Sequence, residues 1–448
     1  MGPFLEPHER LILDFASEDG VIAAATRIAQ RQLSHRRWLA PNNRYRTNVL
    51  AKLREDANPQ TSQADAQLAE YVAAAAILHC ADGWGYLGRA VNAAMMGDSD
   101  TCRHLAYYAE LRAALSALST QGVGIFDDRH VIVGDTGQTY LLRGKRTHVI
   151  AWLSLRHWAL SGKAGAVLAG AVAPHGVPID EWVASLPNGA PWDPLGAKWL
   201  EMWGVDLSFF ASDRTARNES SYRPTRLGGR RALPARESLT FLRDLWSALE
   251  PAGPDDPFFI LDRHLLRRSL EASYTGKTNK RPGQDPEAWA AAVDSVLAAV
   301  IGMSPSASLR DFLLRSAEPT ELALVDFASV QGDQAQVNHH LRMISRAALL
   351  LRVAAGNVRR LFGLAGIDST AIEFWADALG EDRGLWSPGQ APAPLTDLWL
   401  DTRVALDDVD AVVNGTTTSS YRELVNTCAE ALIVLTGCER VALWSAAA

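Results

Sequence analysis

Between residues 62 and 122 two Ala-rich stretches follow one another, and then the pattern changes abruptly. The stretches are "SQADAQLAEYVAAAAILHCADGWGYLGRAVNAAMMG" (62–97) and "DSDTCRHLAYYAELRAALSALSTQG" (98–122). Apolar residues at three- and four-residue spacing predict two helices. Ser62 or Asp65 is placed to cap the first, and Asp98 or Ser99 the second, with Gly122 ending it. On the second, Tyr107, Leu111, Ala114 and Leu118 share one face. From residue 123 the period falls to two: "VGIFDDRHVIVGDTGQTYLLRG" carries β-like runs at 123–126, 130–133 and 139–142. Turn residues separate them at Asp127-Asp128 and at 134–137. A small β-hairpin is therefore expected between helices, with helical pattern resuming at Thr147.

Helical spacing marks most of the remainder: 7–18 and 21–34 at one end, and 237–249, 256–274, 285–302, 308–316, 319–330, 333–363, 368–380 and 417–437 at the other. Residues 187–198 and 213–236 read as connections, the latter long, polar and Arg-rich without periodicity. A chain of 448 residues exceeds a single core. The fold class expected is all-α, with one helical domain over 1–185 that carries the hairpin near 123–142. A second helical domain is expected over 237–448, and a polar linker region over 186–236 joins the two.

The composition, 48% hydrophobic and 21% charged, is that of a soluble globular protein. A net charge of −7 excludes a wholly basic nucleic-acid binder but leaves room for local basic patches. Six of the 44 basic residues are lysine. With so much alanine, that bias reflects a GC-rich coding sequence rather than phosphate binding. Cys80, Cys102, Cys428 and Cys438 form no C-x-x-C. His79 beside Cys80, and His104 two residues after Cys102, lack a second ligand pair at zinc spacing. The cysteines are expected to be small buried residues in a reducing cytosol, with no metal and no cofactor. The first residues, "MGPFLEPHERLILDF", lack the apolar core of a secretory signal, and no run reaches ~18 apolar residues. A cytoplasmic protein with no membrane partner is expected.

"RGKRTHVIAWLSLRHWAL" (143–160) is the densest mixture of Arg, His and Trp. Histidine moves protons near neutral pH, and a guanidinium holds a phosphate through paired hydrogen bonds. Arg143 and His148 are thus candidates for cleavage of a phosphodiester without a metal. Lys145 and Arg146 add positive charge, and a helix N-terminus near Thr147 adds a dipole that favours an anion. The plain alternative is a solvated loop in which His148 packs near Trp152.

The order of elements here resembles the HEPN superfamily of prokaryotic helical domains. The likeness covers about residues 62–175. It rests on Tyr107, Tyr108, Leu111, Arg112, Gly124 and Ile125, then Gly144, Thr147, His148 and Trp152. Many such domains are metal-independent ribonucleases with an R-x(4–6)-H motif; others are inactive interaction modules, and several act in phage defence or toxin–antitoxin systems. The resemblance implies motif positions at Arg143 and His148 and a site shared by two protomers of a homodimer. Gly144 departs from the commoner polar residue after the arginine.

Two further basic clusters are candidates. On "DQAQVNHHLRMISRAALLLRVAAGNVRRLFG" (333–363), Arg342 and Arg346 lie off an apolar stripe of Val337, Leu341, Ile344, Ala348 and Leu351. With His339 and His340 they are placed to bind phosphate, the alternative being a core helix whose arginines pair with acids. Adjacent His339 and His340 point about 100° apart and cannot share one metal from a helix. Arg263, Arg267, Arg268, Lys277, Lys280 and Arg281, with Arg223, Arg226, Arg230 and Arg231, would line an RNA groove in which Tyr222 and Tyr274 stack on bases. The alternative is a solvated face. "TGKT" is no nucleotide loop, because Glu271 stands where its first glycine belongs.

The leading expectation is a helical, RNA-binding protein with metal-independent endoribonuclease activity in antiviral defence or stress. Arg143 and His148 are its catalytic residues, and Tyr108, Lys145, Arg146, Arg342 and Arg346 its substrate-binding residues. The rival is a non-catalytic scaffold or sensor subunit of a multi-protein complex.

Overall fold

The computed structural model describes residues 4–55, 63–187, 194–223, 233–302, 307–330, 337–415 and 420–446. Among them are 21 α-helices and one small antiparallel sheet, so the protein is all-α with a β insertion. Six helices carry the architecture: α1 (Ala66–Met95), α2 (Ser99–Thr120), α3 (Thr147–Ala159), α4 (Phe209–Tyr222), α5 (Phe259–Thr278) and α6 (His339–Ala365).

Helices α1 and α2 begin where short acids can cap them. Asp65 accepts from the Leu68 N–H and Asp98 from the Thr101 N–H, each at 3.0 Å. Helix α1 is buried along nearly its whole length because its alanines let neighbours approach closely. Helix α2 ends at Gly122, whose φ of +87° suits glycine. A Cβ there would meet the Val133 carbonyl oxygen at 2.6 Å, so helix and hairpin meet at the one residue without a side chain.

The sheet has strand order β1-β4-β3-β2, with β1 at Gln63–Ala64, β2 at Val123–Phe126, β3 at Arg129–Val133 and β4 at Gln138–Arg143. The expected runs are β2 to β4. Strand β1, two residues long, is an edge that no alternation announces. Val123 pairs with Ile132, and Arg129 with Arg143. This register puts Leu142 and His130 on one face and Val131 on the other, and all three are buried.

Helix α6 comes from the half of the chain read above as a second domain, yet it packs along α1 and α2. Buried side chains from both halves form one continuous cluster. Residues 194–222, read as linker, contain two helices, Gly196–Met202 and α4. The reason is visible in α4. Its buried face is Phe209, Phe210, Asp213 and Ala216, a helical spacing with an acid inside it. That buried acid hides the amphipathic period from a hydropathy reading. The helix Leu398–Gly415 was likewise not expected, and the pattern over 417–437 resolves into Tyr421–Thr427 and Ala429–Leu435.

All four cysteines are free and buried. No helix among the described residues is long and apolar enough to cross a membrane.

Helix α6 comes close to the Ala164–Ala171 helix at Gly356, where an added Cβ would lie 2.0 Å from the Ala171 carbonyl oxygen. Gly356→Ala is expected to lower stability by about 1–3 kcal/mol, since backbone must give way. Urea unfolding followed by circular dichroism measures it.

Candidate functional site

Helices α2, α3 and α4 converge on a cluster of aromatic and basic side chains. His148 is the second residue of α3. Its Nδ1 shares a 3.2 Å hydrogen bond with the Tyr107 hydroxyl of α2. Trp152, one turn along α3, donates from its indole N–H to the same hydroxyl at 3.2 Å. The Trp152 ring in turn stacks on Phe210 of α4 with centroids 4.1 Å apart. That contact fixes α4 against α3.

Helix α4 supplies the guanidiniums. Arg217 donates to the Tyr108 hydroxyl at 2.6 Å and lies over the rings of Tyr108 and Tyr107. Its Nε is buried with no acceptor among the described residues. Arg214 donates to the His148 carbonyl oxygen at 3.3 Å. Ser221 shares a 2.8 Å hydrogen bond with His104, and Tyr86 of α1 stacks on Tyr108.

The electrostatics follow from this crowd. Burial lowers the His148 pKa below the ordinary histidine value, and Arg217, Arg214 and His104 lower it further. His148 is therefore neutral at pH 7. His104 is lowered by burial and then by Arg217. Burial pushes Tyr107 up to about 12, so its phenol keeps its proton.

Behind this layer is a second, wholly buried one. Arg346 of α6 holds Asp213 of α4 through two bonds of 2.8 and 2.6 Å and faces Glu110 of α2 at 3.8 Å. Among the described residues neither Glu110 oxygen has a hydrogen-bond partner as a carboxylate. A proton retained on Glu110 gives it one, by letting it donate to Asp213. Burial raises the pKa of both acids, Asp213 raises Glu110 further, and Arg346 opposes the rise in each. One guanidinium does not balance two buried carboxylates, so the pair keeps a proton. His339 lies 3.6 Å from Asp213 and is driven down to about 3 by burial and then by Arg346.

Of the residues singled out in the sequence, the structure brings Tyr108 and His148 together. Arg143 lies at the end of β4, opposite Arg129. The guanidiniums that act on His148 are those of α4. Lys145 and Arg146 do not add to a positive field as expected. Lys145 is paired with Glu9 at 2.5 Å and Arg146 with Asp127 at 2.7 Å. Arg346 is buried on Asp213 and unavailable to a substrate, because its charge is the counter-ion of the α4 acid. Arg342 is half-buried, and its pKa is lowered by burial and by Arg346.

The proposed RNA groove is not formed as expected. Arg267 is buried and donates to the Glu318 and Thr320 carbonyl oxygens; Arg268 donates to Met202 and Lys277 to Val183. Lys280 pairs with Asp285, and Tyr274 is buried. Arg223 pairs with Glu219, and Tyr222 is exposed. Arg226, Arg230 and Arg231 lie outside the described residues.

Sequence reading missed Arg214, Arg217 and His104. The signal for the arginines was the Phe209, Phe210, Ala216 spacing, which places both on the flank of a helix. Among the described residues no three His, Cys, Asp or Glu side chains gather as metal ligands.

No protein-family model matches this chain, and no curated protein or solved structure is significantly similar to it.

The acid pair has a definite pH consequence. The folded pKa of Glu110 is raised, so its contribution to stability is fully present below the unfolded value, about 4.3. It is lost as pH rises through the folded value. Glu110→Gln keeps a donor toward Asp213 without needing a proton. Relative to the parent it is expected to gain about 1–2 kcal/mol between pH 5 and pH 8. Urea titrations at the two pH values measure the difference.

Proposed function

We propose that the cluster around His148 binds the phosphate of single-stranded RNA and cleaves the chain without a metal. The observation that carries this reading is the Arg217 fork. It lies over two tyrosines beside a neutral, half-buried histidine, and its two amino groups, bonded once each to Asn218 and Tyr108, carry a further N–H apiece. A phosphate oxygen accepts from those N–H groups. The resemblance to HEPN domains supports the same reading and adds the homodimer, the cytoplasmic location and the defence setting.

In this reading the His148 Nδ1–H donates to Tyr107, so Nε2 keeps its lone pair and acts as the base. It takes the proton of the 2′-hydroxyl. The 2′-oxygen bonds to phosphorus, the bond to the 5′-oxygen breaks, and the proton returns to that oxygen. Arg217 and Arg214 stabilise the charge that grows on the phosphoryl oxygens. The Tyr107 hydroxyl accepts from His148 and Trp152 and retains its own proton for a substrate oxygen. The products are a 2′,3′-cyclic phosphate and a 5′-hydroxyl.

A second reading, the non-catalytic subunit of a protein complex, is favoured by a different observation. Leu400 and Val404 are exposed one turn apart on Leu398–Gly415, and Ile433 is exposed on the neighbouring Ala429–Leu435.

Purified protein is expected to cleave single-stranded RNA in EDTA and leave cyclic phosphate ends. His148→Ala and Arg217→Gln should each lower the rate at least about 100-fold. Because His148 acts deprotonated and its pKa is lowered, the rate should fall only as pH drops below the ordinary histidine range, near 6.5. Arg143→Gln assayed alongside separates the two arginine assignments: equal loss in Arg143→Gln and none in Arg217→Gln would overturn the role given to α4. No cleavage by the folded parent would favour the second reading.

A further inference from the structure

A separate cavity of about 290 Å³ opens where α6 passes the start of α5 and the end of the Ala164–Ala171 helix. Three guanidiniums of α6 line it, those of Arg352, Arg359 and Arg360. Arg352 is buried and grips Asp262 through two bonds, while its remaining amino group donates to the Ala171 carbonyl oxygen at 3.0 Å. It belongs to the wall. Arg360 is paired with Glu18 through one amino group only.

Arg359 differs from both. Its one bond among the described residues runs from Nη1 to the Asp255 carbonyl oxygen, at 3.2 Å. No carboxylate there pairs with it. A guanidinium carries five N–H donors in a rigid fork, so most of those on Arg359 and Arg360 are uncommitted. Arg359 is also half-buried; burial and then the neighbouring Arg352 charge lower its pKa, and Asp255, Asp262 and Asp256 oppose the fall. An arginine held there without a carboxylate bonded to its fork leaves N–H groups that a bound anion satisfies.

The acids near the cavity act on Arg359 through space, and among the described residues none of their side chains is bonded to it. Asp262 and Glu18 are already engaged. Asp255 is exposed, where water screens its charge. Asp256 accepts from the His175 N–H and is pushed up to about 6 by burial and then by Asp262.

We propose that this cavity is a binding site for a small phosphorylated molecule, with Arg359 and Arg360 holding its phosphate. A tetrahedral oxyanion offers a bidentate edge to each of two forks, whereas a carboxylate has one such edge to share between them. The volume lies at the lower end of the ligand range, ~300–1,000 Å³, and so limits the ligand to a small one. The site is independent of the His148 cluster and shares no residue with it.

Pyrophosphate titrated into the full chain by isothermal calorimetry at constant ionic strength tests the proposal, with citrate as the carboxylate control. The parent is expected to bind pyrophosphate in preference to citrate. Arg359→Gln should weaken pyrophosphate binding at least about tenfold, Arg359→Lys should fall between the two, and the binding that depends on Arg359 should persist in Arg217→Gln. Arg359 makes no ion pair, so Arg359→Gln should keep the parent's circular dichroism and melting temperature; Arg359→Lys is the second variant if it does not. The proposal is overturned by no heat from the parent at millimolar pyrophosphate, by preference for citrate, or by binding that Arg217→Gln removes and Arg359→Gln retains.

Discussion

Arg346 is the tie on which the rest of the arrangement depends. It is buried, it grips Asp213 of α4, and it faces Glu110 of α2. Three helices distant in sequence are thereby fixed at one point. A buried guanidinium without its acids would be costly, and buried acids without it more so. The cluster is tolerable only when α2, α4 and α6 are all in place. That gives it a role in specifying the fold beyond any net gain in stability.

The candidate site is an outward extension of the same tie. Tyr107 and Tyr108 precede Glu110 by less than a turn of α2, and Arg214 and Arg217 follow Asp213 within about one turn of α4. Fixing Glu110 and Asp213 therefore fixes the tyrosines and the guanidiniums relative to each other. The Trp152–Phe210 stack adds the third wall, on which His148 is carried. The outer, partly buried layer is basic and aromatic, while the negative charge lies behind it on the two acids, reduced by the proton they keep. His148, half-buried in front of that layer, is lowered first by burial and then by Arg217 and Arg214.

Much of the fold was legible because it is local. The caps at Asp65 and Asp98, the stop at Gly122, the hairpin and the start of α3 at Thr147 follow from nearest-neighbour chemistry, and each is where the spacing placed it. Helix α4 was illegible because its buried face contains Asp213, whose partner lies 133 residues away. Without Arg346 in view that face reads as polar, and "DRTARNESSY" as loop. The R-x4-H spacing led to His148 as a candidate, and His148 stands at the cluster. The same spacing named Arg143 as its partner, whereas the guanidiniums acting on His148 arrive from α4. Lys145 and Arg146 looked basic only because Glu9 and Asp127 are remote in sequence or hidden in a turn.

The amino-acid sequence by itself determined the helices whose buried face is apolar, where the hairpin interrupts them and which histidine heads α3. Periodicity and capping act over a few residues and need no knowledge of the partner. Only the tertiary structure decided which charges are exposed and which cancel. Ion pairing, desolvation and the lowered pKa of His148 depend on groups that meet across the chain. No spacing along the sequence encodes the distance between them.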